Sequence, residues 1–143
     1  MNNKINLARG RTLDFAEPVI MGIVNVTPDS FSDGGQFLNT TAALSHAMQL
    51  LDDGATILDI GGESTRPGAP DVSLEDELKR VIPIIKAIRE QSDCVISIDT
   101  SKAEVMRQAI EAGADIVNDV RALQEPGAID VVAQFPEVAV CLM

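Results

Sequence analysis

Short apolar runs recur along the chain, and four of them end at an Asn or an Asp. The runs cover residues 19–24, 56–58, 95–98 and 116–117, and the polar residues that follow them are Asn25, Asp59, Asp99 and Asn118. A fifth run covers residues 138–143. Strands this uniformly apolar are typical of a parallel sheet that is covered on both faces. Because parallel strands share their carboxyl end, the pattern predicts that the four polar residues line one rim of the sheet.

Helical patterns fill the first two intervals between these runs. Asn39 or Thr40 is a suitable N-cap for the first helix, whose apolar positions follow at helical spacing. Ser73 and Asp76 form a capping-box-like start for the second helix. Pro83 falls inside that second pattern, and we expect it to kink the helix.

Three further elements complete the predicted order. Ser101 and Glu104 read as a capping box for a helix over residues 102–112, and a short helix is predicted over residues 128–135. Residues 1–18 alternate between apolar and polar on both sides of a turn, which predicts an N-terminal β-hairpin. The chain after the hairpin therefore alternates strand and helix, from the first of five strands to the last.

Two architectures suit this alternation. One is a doubly wound sheet, and the other is the first five strands of a (β/α)₈ barrel, a fold of about 250 residues. A doubly wound nucleotide-binding protein has a short glycine-rich turn after its first strand. The segment at residues 25–35 is longer and lacks that fingerprint. This segment and a second long polar loop at residues 61–70 both follow strand ends, where α/β proteins place their catalytic and binding residues. We expect Phe31 to cover an apolar group there.

Composition and charge narrow the class of protein. The chain of 143 residues is 45% hydrophobic, with 22 acidic against 11 basic residues and a net charge of -11. This excess of acid argues against nucleic acid and against an anionic membrane surface as partners. Cys94 and Cys141 match no metal motif and read as small buried hydrophobic residues. No signal peptide or membrane span is evident, so we expect a cytoplasmic protein in a reducing compartment.

Four motifs occur in order and carry a specific resemblance. They are NVTPDSFSDGG at residues 25–35, DIGGESTRPGA at 59–69, SIDTSK at 97–102 and AGADIVNDV at 112–120. Together they resemble the dihydropteroate synthase family of folate biosynthesis. The resemblance implies the N-terminal half of a (β/α)₈ TIM barrel. Residues 1–143 would then be a single, truncated pterin-binding domain of five parallel strands and four helices, preceded by the hairpin at 1–18.

The resemblance also implies an activity and a set of site residues. That family condenses 6-hydroxymethyl-7,8-dihydropterin diphosphate with p-aminobenzoate and releases pyrophosphate, with Mg²⁺ as cofactor. By this resemblance Asp99 and Arg66 are the catalytic candidates and Asn25 is the metal contact. The implied substrate-binding residues are Thr65, Arg66, Asp99, Asn118, Val120 and Met143.

Less specific interpretations remain for several of these features. Asp59 suits a helix-capping or turn role, and His46, the single histidine, falls on the polar side of its helix.

The family's later motifs and its usual homodimer contacts lie beyond residue 143, so we expect no complete turnover by this chain alone. A pterin-dependent methyltransferase and a non-catalytic pterin-binding module are the alternative functions. The loops at residues 27–35 and 63–69 favour the synthase.

Overall fold

The structure, a computed structural model, describes residues 2–27 and 35–143. The predicted role of Phe31 therefore lies outside the described residues. The strands are β1 (Lys4–Asn6), β2 (Thr12–Asp14), β3 (Met21–Asn25), β4 (Ile57–Gly61), β5 (Val95–Asp99), β6 (Ile116–Asp119) and β7 (Ala139–Leu142). The helices are α1 (Gly35–Asp52), α2 (Leu74–Gln91), α3 (Ala103–Ala112) and α4 (Ala128–Ala133), and a 3₁₀ turn (Ala8–Gly10) joins β1 to β2.

The order of the strands decides between the two predicted architectures. Strands β3 to β7 form one parallel sheet in the order β3-β4-β5-β6-β7, which is their order in the sequence. A doubly wound sheet reverses its strand order at a switch point, where its ligand binds. This sheet continues in one direction, as successive strands of a (β/α)₈ barrel do. The prediction of a partial barrel with five parallel strands, four helices and an N-terminal hairpin is confirmed.

The two faces of the sheet bury different partners. Alternate side chains of a strand point to opposite faces, and one set packs under the helices in the main core. Members of that core include Val24, Leu58, Ile60, Ile96, Ile98 and Val117 from the sheet, with Val81, Ile85, Val105 and Met106 from α2 and α3. The opposite face, which corresponds to the inside of a barrel, carries the polar residues described below.

The N-terminal hairpin covers the lower end of that inner face. Leu7 and Leu13 pack against Ile57, Val95 and Ile116, which lie near the start of their strands. The antiparallel pairing of β1 with β2 matches the predicted hairpin. The hairpin thus closes the end of the sheet that lies away from the predicted rim.

A buried ion cluster fastens the hairpin to the sheet. The carboxylate of Asp115, fully buried, accepts hydrogen bonds from Arg11 Nε at 2.8 Å and from Arg89 Nη2 at 2.8 Å. It also accepts the backbone amide of Ile96 at 3.0 Å. Arg11 Nη1 reaches Asp93, at the surface, at 2.8 Å. The buried carboxylate therefore joins the hairpin, α2 and the start of β6.

Two of the predicted helix starts need correction. Helix α1 begins at Gly35, so Asn39 and Thr40 lie inside it and do not cap it. A cap preference is worth only about 1 kcal/mol, which helix packing overrides. Helix α3 begins after Lys102, and Ser101 does not cap it, because the Ser101 hydroxyl donates to Asp119 at 2.6 Å. Its expected capping partner, Glu104, instead pairs with Arg107 in the next turn.

The start of α2 agrees with its sequence signal. Ser73 is the N-cap, and its hydroxyl accepts the backbone amide of Asp76 at 3.1 Å. The helix runs without interruption through Pro83 to Gln91. Among the helices that the structure describes, none has the length and apolar character needed to span a membrane.

Candidate functional site

The strand register aligns three of the predicted site residues in one row. Asn25 pairs with Gly61, Gly61 with Asp99, and Asp99 with Asn118. Neighbours in register point to the same face of a sheet. Asn25, Asp99 and Asn118 therefore lie at one level on the inner face, at the carboxyl ends of β3, β5 and β6. Gly61 contributes no side chain, which leaves open space between Asn25 and Asp99.

Asp59 lies one level below this row and corrects the predicted rim. Strand β4 does not end at Asp59 but continues to Gly61, and Asp59 pairs in register with Ser97. Only 3% of Asp59 is exposed, and its two carboxylate oxygens lie 3.3 and 3.4 Å from Asn118 Nδ2. It is therefore not a helix cap. It supports Asn118 from beneath, with the amide nitrogen of Asn118 directed down toward the carboxylate.

Burial makes the charge on Asp59 costly. It raises the pKa of Asp59, and the neighbouring Ser97 and Asn118 side chains oppose the shift. The Ser97 hydroxyl is itself buried, and it has no well-formed hydrogen bond to a described residue. The level below the row thus holds a buried carboxylate and a buried hydroxyl with spare hydrogen-bonding capacity.

Asp99 differs from the other carboxylates of the site because no described residue pairs with it. Within the described part of the chain its carboxylate forms no hydrogen bond and no ion pair, although it is half-buried. Burial raises the pKa of Asp99 to about 6, and the negative charges of Asp59, Glu77, Asp119 and Glu63 add to the shift. An unpaired, half-buried carboxylate at a strand end is a strong candidate for ligand binding.

A cleft opens beside Asp99. Its volume is about 840 Å³, and its walls come from the loops that follow β4, β5 and β6 and from the first turns of α2 and α3. Thr65, Arg66, Asp99 and Val120 all contribute to its lining. The side chain of Arg66 forms no hydrogen bond or ion pair with a described residue, although its backbone amide donates to Ser64 Oγ at 3.3 Å. The cleft therefore combines an available guanidinium with an available carboxylate.

A network of charged side chains also borders the cleft. Lys102 Nζ lies 2.7 Å from Glu63 Oε2 and 2.9 Å from Glu77 Oε1. Glu77 is buried, and its second oxygen accepts the hydroxyl of Thr100. Burial works to raise the pKa of Glu63, but Lys102 and the amide of Val72 outweigh it and hold that pKa below its usual range.

Sequence reasoning did not assign Lys102, Glu63, Glu77 or Thr100 to the site. Glu77 lies in the first turn of α2, and Lys102 lies directly before α3. The position of Lys102 in the SIDTSK motif was the available signal. The partners of Lys102 lie far away in the sequence, and only the fold brings them together.

Asp119 is a further residue that the sequence pattern did not single out. It is buried at the end of β6, and its carboxylate accepts Ser101 Oγ at 2.6 Å and the backbone amides of Arg121 and Leu123, each at 2.9 Å. Leu123 and the preceding Ala122 have φ values of 61° and 54°, in the left-handed region that non-glycine residues seldom adopt. Asp119 therefore holds a strained turn that forms one wall of the cleft.

Comparison with known proteins identifies the family. Residues 21–143 match the family model described as pterin binding enzyme. The chain belongs to the pterin-binding enzyme family. The matched segment includes the whole parallel sheet, all four helices and every residue named above as a site candidate.

Individual members of the pterin-binding family are similar to the chain over nearly all its length. Dihydropteroate synthase of Escherichia coli K12 is 53% identical over 136 residues, which are 95% of this chain and 48% of the relative. The structure of 7,8-dihydropteroate synthase from Vibrio fischeri ES114 is 56% identical with a TM-score of 0.88, and the match covers 98% of this chain and 50% of that one. The chain spans about half the length of the relatives that it matches.

A second similar structure was solved with a small molecule. Xanthomonas albilineans dihydropteroate synthase, solved with 4-aminobenzoic acid, is 52% identical, with a TM-score of 0.89 over 98% of this chain and 50% of that one. The other half of each of these relatives has no counterpart in this chain.

The site residues that the family resemblance implied fall into three groups in the structure. Thr65, Arg66, Asp99 and Val120 line the cleft. Asn25 and Asn118 lie on either side of Asp99 in its register row. Met143 follows β7 and is 81% exposed, with its amide bonded to the Asp119 carbonyl at 3.2 Å. Met143 therefore lies apart from the cleft lining, and its predicted contact with a ring stays a prediction.

The donor set near Asn25 fits a loosely held magnesium ion. In the described part of the chain no group of three or more His, Cys, Asp or Glu is arranged to hold a metal. Mg²⁺, however, usually keeps several waters and binds one or two protein oxygens together with substrate phosphates. Asn25 Oδ1 faces the space above Gly61, 3.7 Å from where a Gly61 Cβ would lie. One neutral amide oxygen beside that open space suits such an ion.

Proposed function

We propose that this chain carries the N-terminal half of a dihydropteroate synthase site. The observation that carries the proposal is the carboxylate of Asp99, which pairs with no described residue, lies level with Asn25 and Asn118 and is open to the cleft that contains Arg66. The reaction would join 6-hydroxymethyl-7,8-dihydropterin diphosphate to p-aminobenzoate and release pyrophosphate. The similarity to synthases supports this choice over the methyltransferase and the non-catalytic module.

Recognition of the pterin rests on Asp99 and Asn118. A pterin edge presents ring N–H, amino and lone-pair groups, which a carboxylate and an amide can pair with hydrogen bonds. Asp59 takes the amide nitrogen of Asn118, which leaves the amide oxygen free to accept from a ligand. At neutral pH most Asp99 side chains carry a charge, since the pKa is about 6. A ligand without matching donors would leave this carboxylate unpaired, and the site would discriminate against it.

Binding of the diphosphate rests on the loop after β4. The guanidinium of Arg66 presents planar paired donors that match phosphate oxygens, and Thr65 adds a hydroxyl beside it. Asn25 would hold Mg²⁺, which when bound neutralises charge on the departing diphosphate. Val120 offers an apolar contact for the ring from the loop after β6.

The chemical step needs positioning and charge stabilisation. The amine nitrogen of p-aminobenzoate forms a bond to the exocyclic methylene carbon of the pterin. The bond from that carbon to the diphosphate oxygen breaks, the diphosphate leaves as pyrophosphate, and the proton lost by the nitrogen passes to solvent. Arg66 stabilises the negative charge that develops on the leaving oxygen. Asp99 and Asn118 hold the ring so that the methylene group faces the incoming amine.

The proposal also covers the setting of the enzyme. Residues 1–143 form one pterin-binding domain, with residues 1–18 as its N-terminal hairpin. It works in the cytoplasm on small-molecule substrates and does not bind nucleic acid or membranes. The acidic net charge of -11 supports this choice of partners. The completed enzyme is a homodimer whose interface lies in the half that has no counterpart here.

A turnover assay on a joined protein tests the proposed function. This chain is fused to the C-terminal half of the Vibrio fischeri relative, and the joined protein is assayed for dihydropteroate and pyrophosphate release. We expect turnover that Asp99→Ala reduces strongly, because pterin affinity falls about ten- to a hundredfold when a charge-assisted bond is lost. A joined protein that folds, binds pterin and forms no dihydropteroate would favour the non-catalytic module.

Arg66→Lys tests the anion site separately. Lysine keeps the charge but loses the planar pair of donors. We expect a roughly tenfold weaker affinity for pyrophosphate, since one good charge-assisted hydrogen bond is worth about 1.5 kcal/mol. The matched control is Arg9→Lys, because Arg9 is exposed in the N-terminal hairpin, at the end of the sheet away from the cleft. Equal pyrophosphate affinity in both variants would remove Arg66 from the anion site.

A further inference from the structure

We infer that Lys102 is a positioning residue that holds the loop carrying Thr65 and Arg66 against the strand end carrying Asp99. The inference rests on the proposed function for the identity of the ligands. It adds a role for Lys102, Glu63 and Glu77, which stand outside the residues that the family resemblance implied. Their contacts cross from the loop after β4 to α2 and to the loop after β5.

Glu63 closes the loop at its base. Its Oε2 atom accepts the backbone amide of Val72 at 3.2 Å, so residues 64–71 are bounded by a contact between their two ends. Arg80 adds a second attachment, because its Nη1 donates to the carbonyl of Gly62 at 2.7 Å. Arg66 lies between these anchor points, and its side chain forms no hydrogen bond or ion pair with a described residue. Its position therefore depends on how the base of the loop is held.

Lys102 connects that base to the strand bearing Asp99. Its ammonium lies 2.7 Å from the same Glu63 oxygen that accepts Val72. Its backbone amide donates to Thr100 Oγ1 at 3.2 Å, and Thr100 follows Asp99 directly in the chain. Lys102 thus touches the loop through its side chain and the end of β5 through its backbone.

Glu77 also holds the ammonium group of Lys102. Its side chain is 2% exposed, and it binds both Lys102 Nζ at 2.9 Å and the Thr100 hydroxyl. Burying such a pair gives little or no net stability, because the loss of hydration offsets the attraction between the charges. What a buried pair does provide is a defined geometry. Three charged groups at the border of the cleft are therefore better explained by the placement of the loop than by folding stability.

Two measurements on the joined protein test this role. The first is hydrogen exchange at the Val72 amide, which reports the anchor at Glu63 without requiring any ligand. In Lys102→Met we expect this amide to exchange about tenfold faster, since local opening becomes easier. The amide of Asp76, which donates to Ser73, should keep its rate. The control Lys86→Met removes an exposed lysine further along α2 and should change neither amide.

The second measurement separates the loop from the ring site. Calorimetry gives the dissociation constants for inorganic pyrophosphate and for 6-hydroxymethylpterin, which lacks the diphosphate. We expect Lys102→Met to weaken pyrophosphate binding about tenfold and to leave pterin binding within about twofold, since Asp99 and Asn118 stay in place on their strands. Lys102→Arg should restore most of the pyrophosphate affinity, because it keeps the charge.

Glu63→Ala keeps the inference testable if Lys102→Met does not fold, because Glu77 keeps its partner in this variant. Positioning predicts weaker pyrophosphate binding, since the loop loses its anchor. Direct anion binding by Lys102 predicts stronger binding, since the lysine is released from one carboxylate, and that result would overturn the inference. An unchanged Val72 exchange rate in Lys102→Met would overturn it as well. If the unsubstituted joined protein binds neither ligand, the proposed function fails, and the exchange rates still decide the role of Lys102.

Discussion

Gly61 and Asp99 face each other across β4 and β5, and a Cβ added to Gly61 would lie 3.5 Å from Asp99 Oδ2. The same Cβ would lie 3.7 Å from Asn25 Oδ1 on the other side. These are ordinary contact distances, so the backbone itself does not require glycine at this position. The missing side chain instead leaves a gap between two polar groups that both face the inside of the barrel.

Substitution of Gly61 is expected to affect binding more than folding. Gly61→Ala adds one methyl group at contact distance and should keep both stability and pterin affinity. Gly61→Leu should fill the gap and weaken pterin binding at least about tenfold in the joined protein, measured by calorimetry, because the ring and the side chain cannot share the space. The neighbouring Gly62→Ala provides the contrast. There a Cβ would lie 3.0 Å from Val81 Cγ1, so the cost should appear as a lower melting temperature.

Asp99 should make the protein less stable as the pH rises. Its pKa in the folded state, about 6, is above the unfolded value of about 3.9. The folded state therefore binds the proton more tightly between these values, and the free energy of unfolding falls as the pH rises from about 4 to 6. Asp99→Asn should remove this fall and stabilise the protein by about 1 kcal/mol at pH 7.5, after allowance for partial exposure. Urea unfolding at pH 4 and pH 7.5 measures both effects.

The same substitution should weaken the function that we propose. An asparagine side chain cannot carry the charge, so pterin affinity should fall in the variant that is more stable. In the unsubstituted joined protein, pterin affinity should fall as the pH drops through about 6, because the carboxylate becomes protonated. Carboxyl NMR titration of Asp99 gives its pKa directly. A value near that of an ordinary exposed aspartate, together with an unchanged binding profile, would contradict both expectations.

Asp115 should matter for folding and not for the cleft. Asp115→Asn leaves the buried guanidinium groups of Arg11 and Arg89 without their shared counter-charge, and we expect a loss of about 3 kcal/mol in the free energy of unfolding. Asp14→Asn is the control, because the pair between Asp14 and Lys4 is exposed and 3.7 Å long, and it should change stability by less than about 0.5 kcal/mol. Pterin affinity of the joined protein, measured under folding conditions, should be the same in both variants.

A polypeptide of these 143 residues should associate with itself. Strands β3 and β7 are the outer strands of the described sheet, and Ile23 and Leu142 on them are 49% and 57% exposed. Exposed apolar strand edges favour pairing with other chains. Ile23→Lys combined with Leu142→Lys should shift the species seen by size exclusion with light scattering toward the monomer. Ile129→Lys, on the exposed side of α4, should not. A compact monomer without any substitution would contradict this expectation.

The sequence by itself determined the order of the elements and the family. Apolar runs of strand length, separated by helical spacing, were sufficient to predict five parallel strands and four helices. Some of the local signals also agreed with the structure. Ser73 capped α2 as its spacing indicated, and the hairpin formed where residues 5–7 and 13–15 alternate. The motifs that carried the resemblance lie within single loops and strand ends, so they could be read without the fold.

The tertiary structure decided the depth and the partners of the polar groups. Asp59 looked like a strand end but lies one level below Asp99, because an apolar run marks a strand without fixing its register against its neighbours. Ser101 looked like a cap but binds Asp119, and Lys102 found Glu63 and Glu77 on other elements. Ser101 and Lys102 each bond to a carboxylate on another element, and an unpaired buried carboxylate would be costly. This pairing depends on which residues the fold buries together, and the sequence pattern does not contain this information.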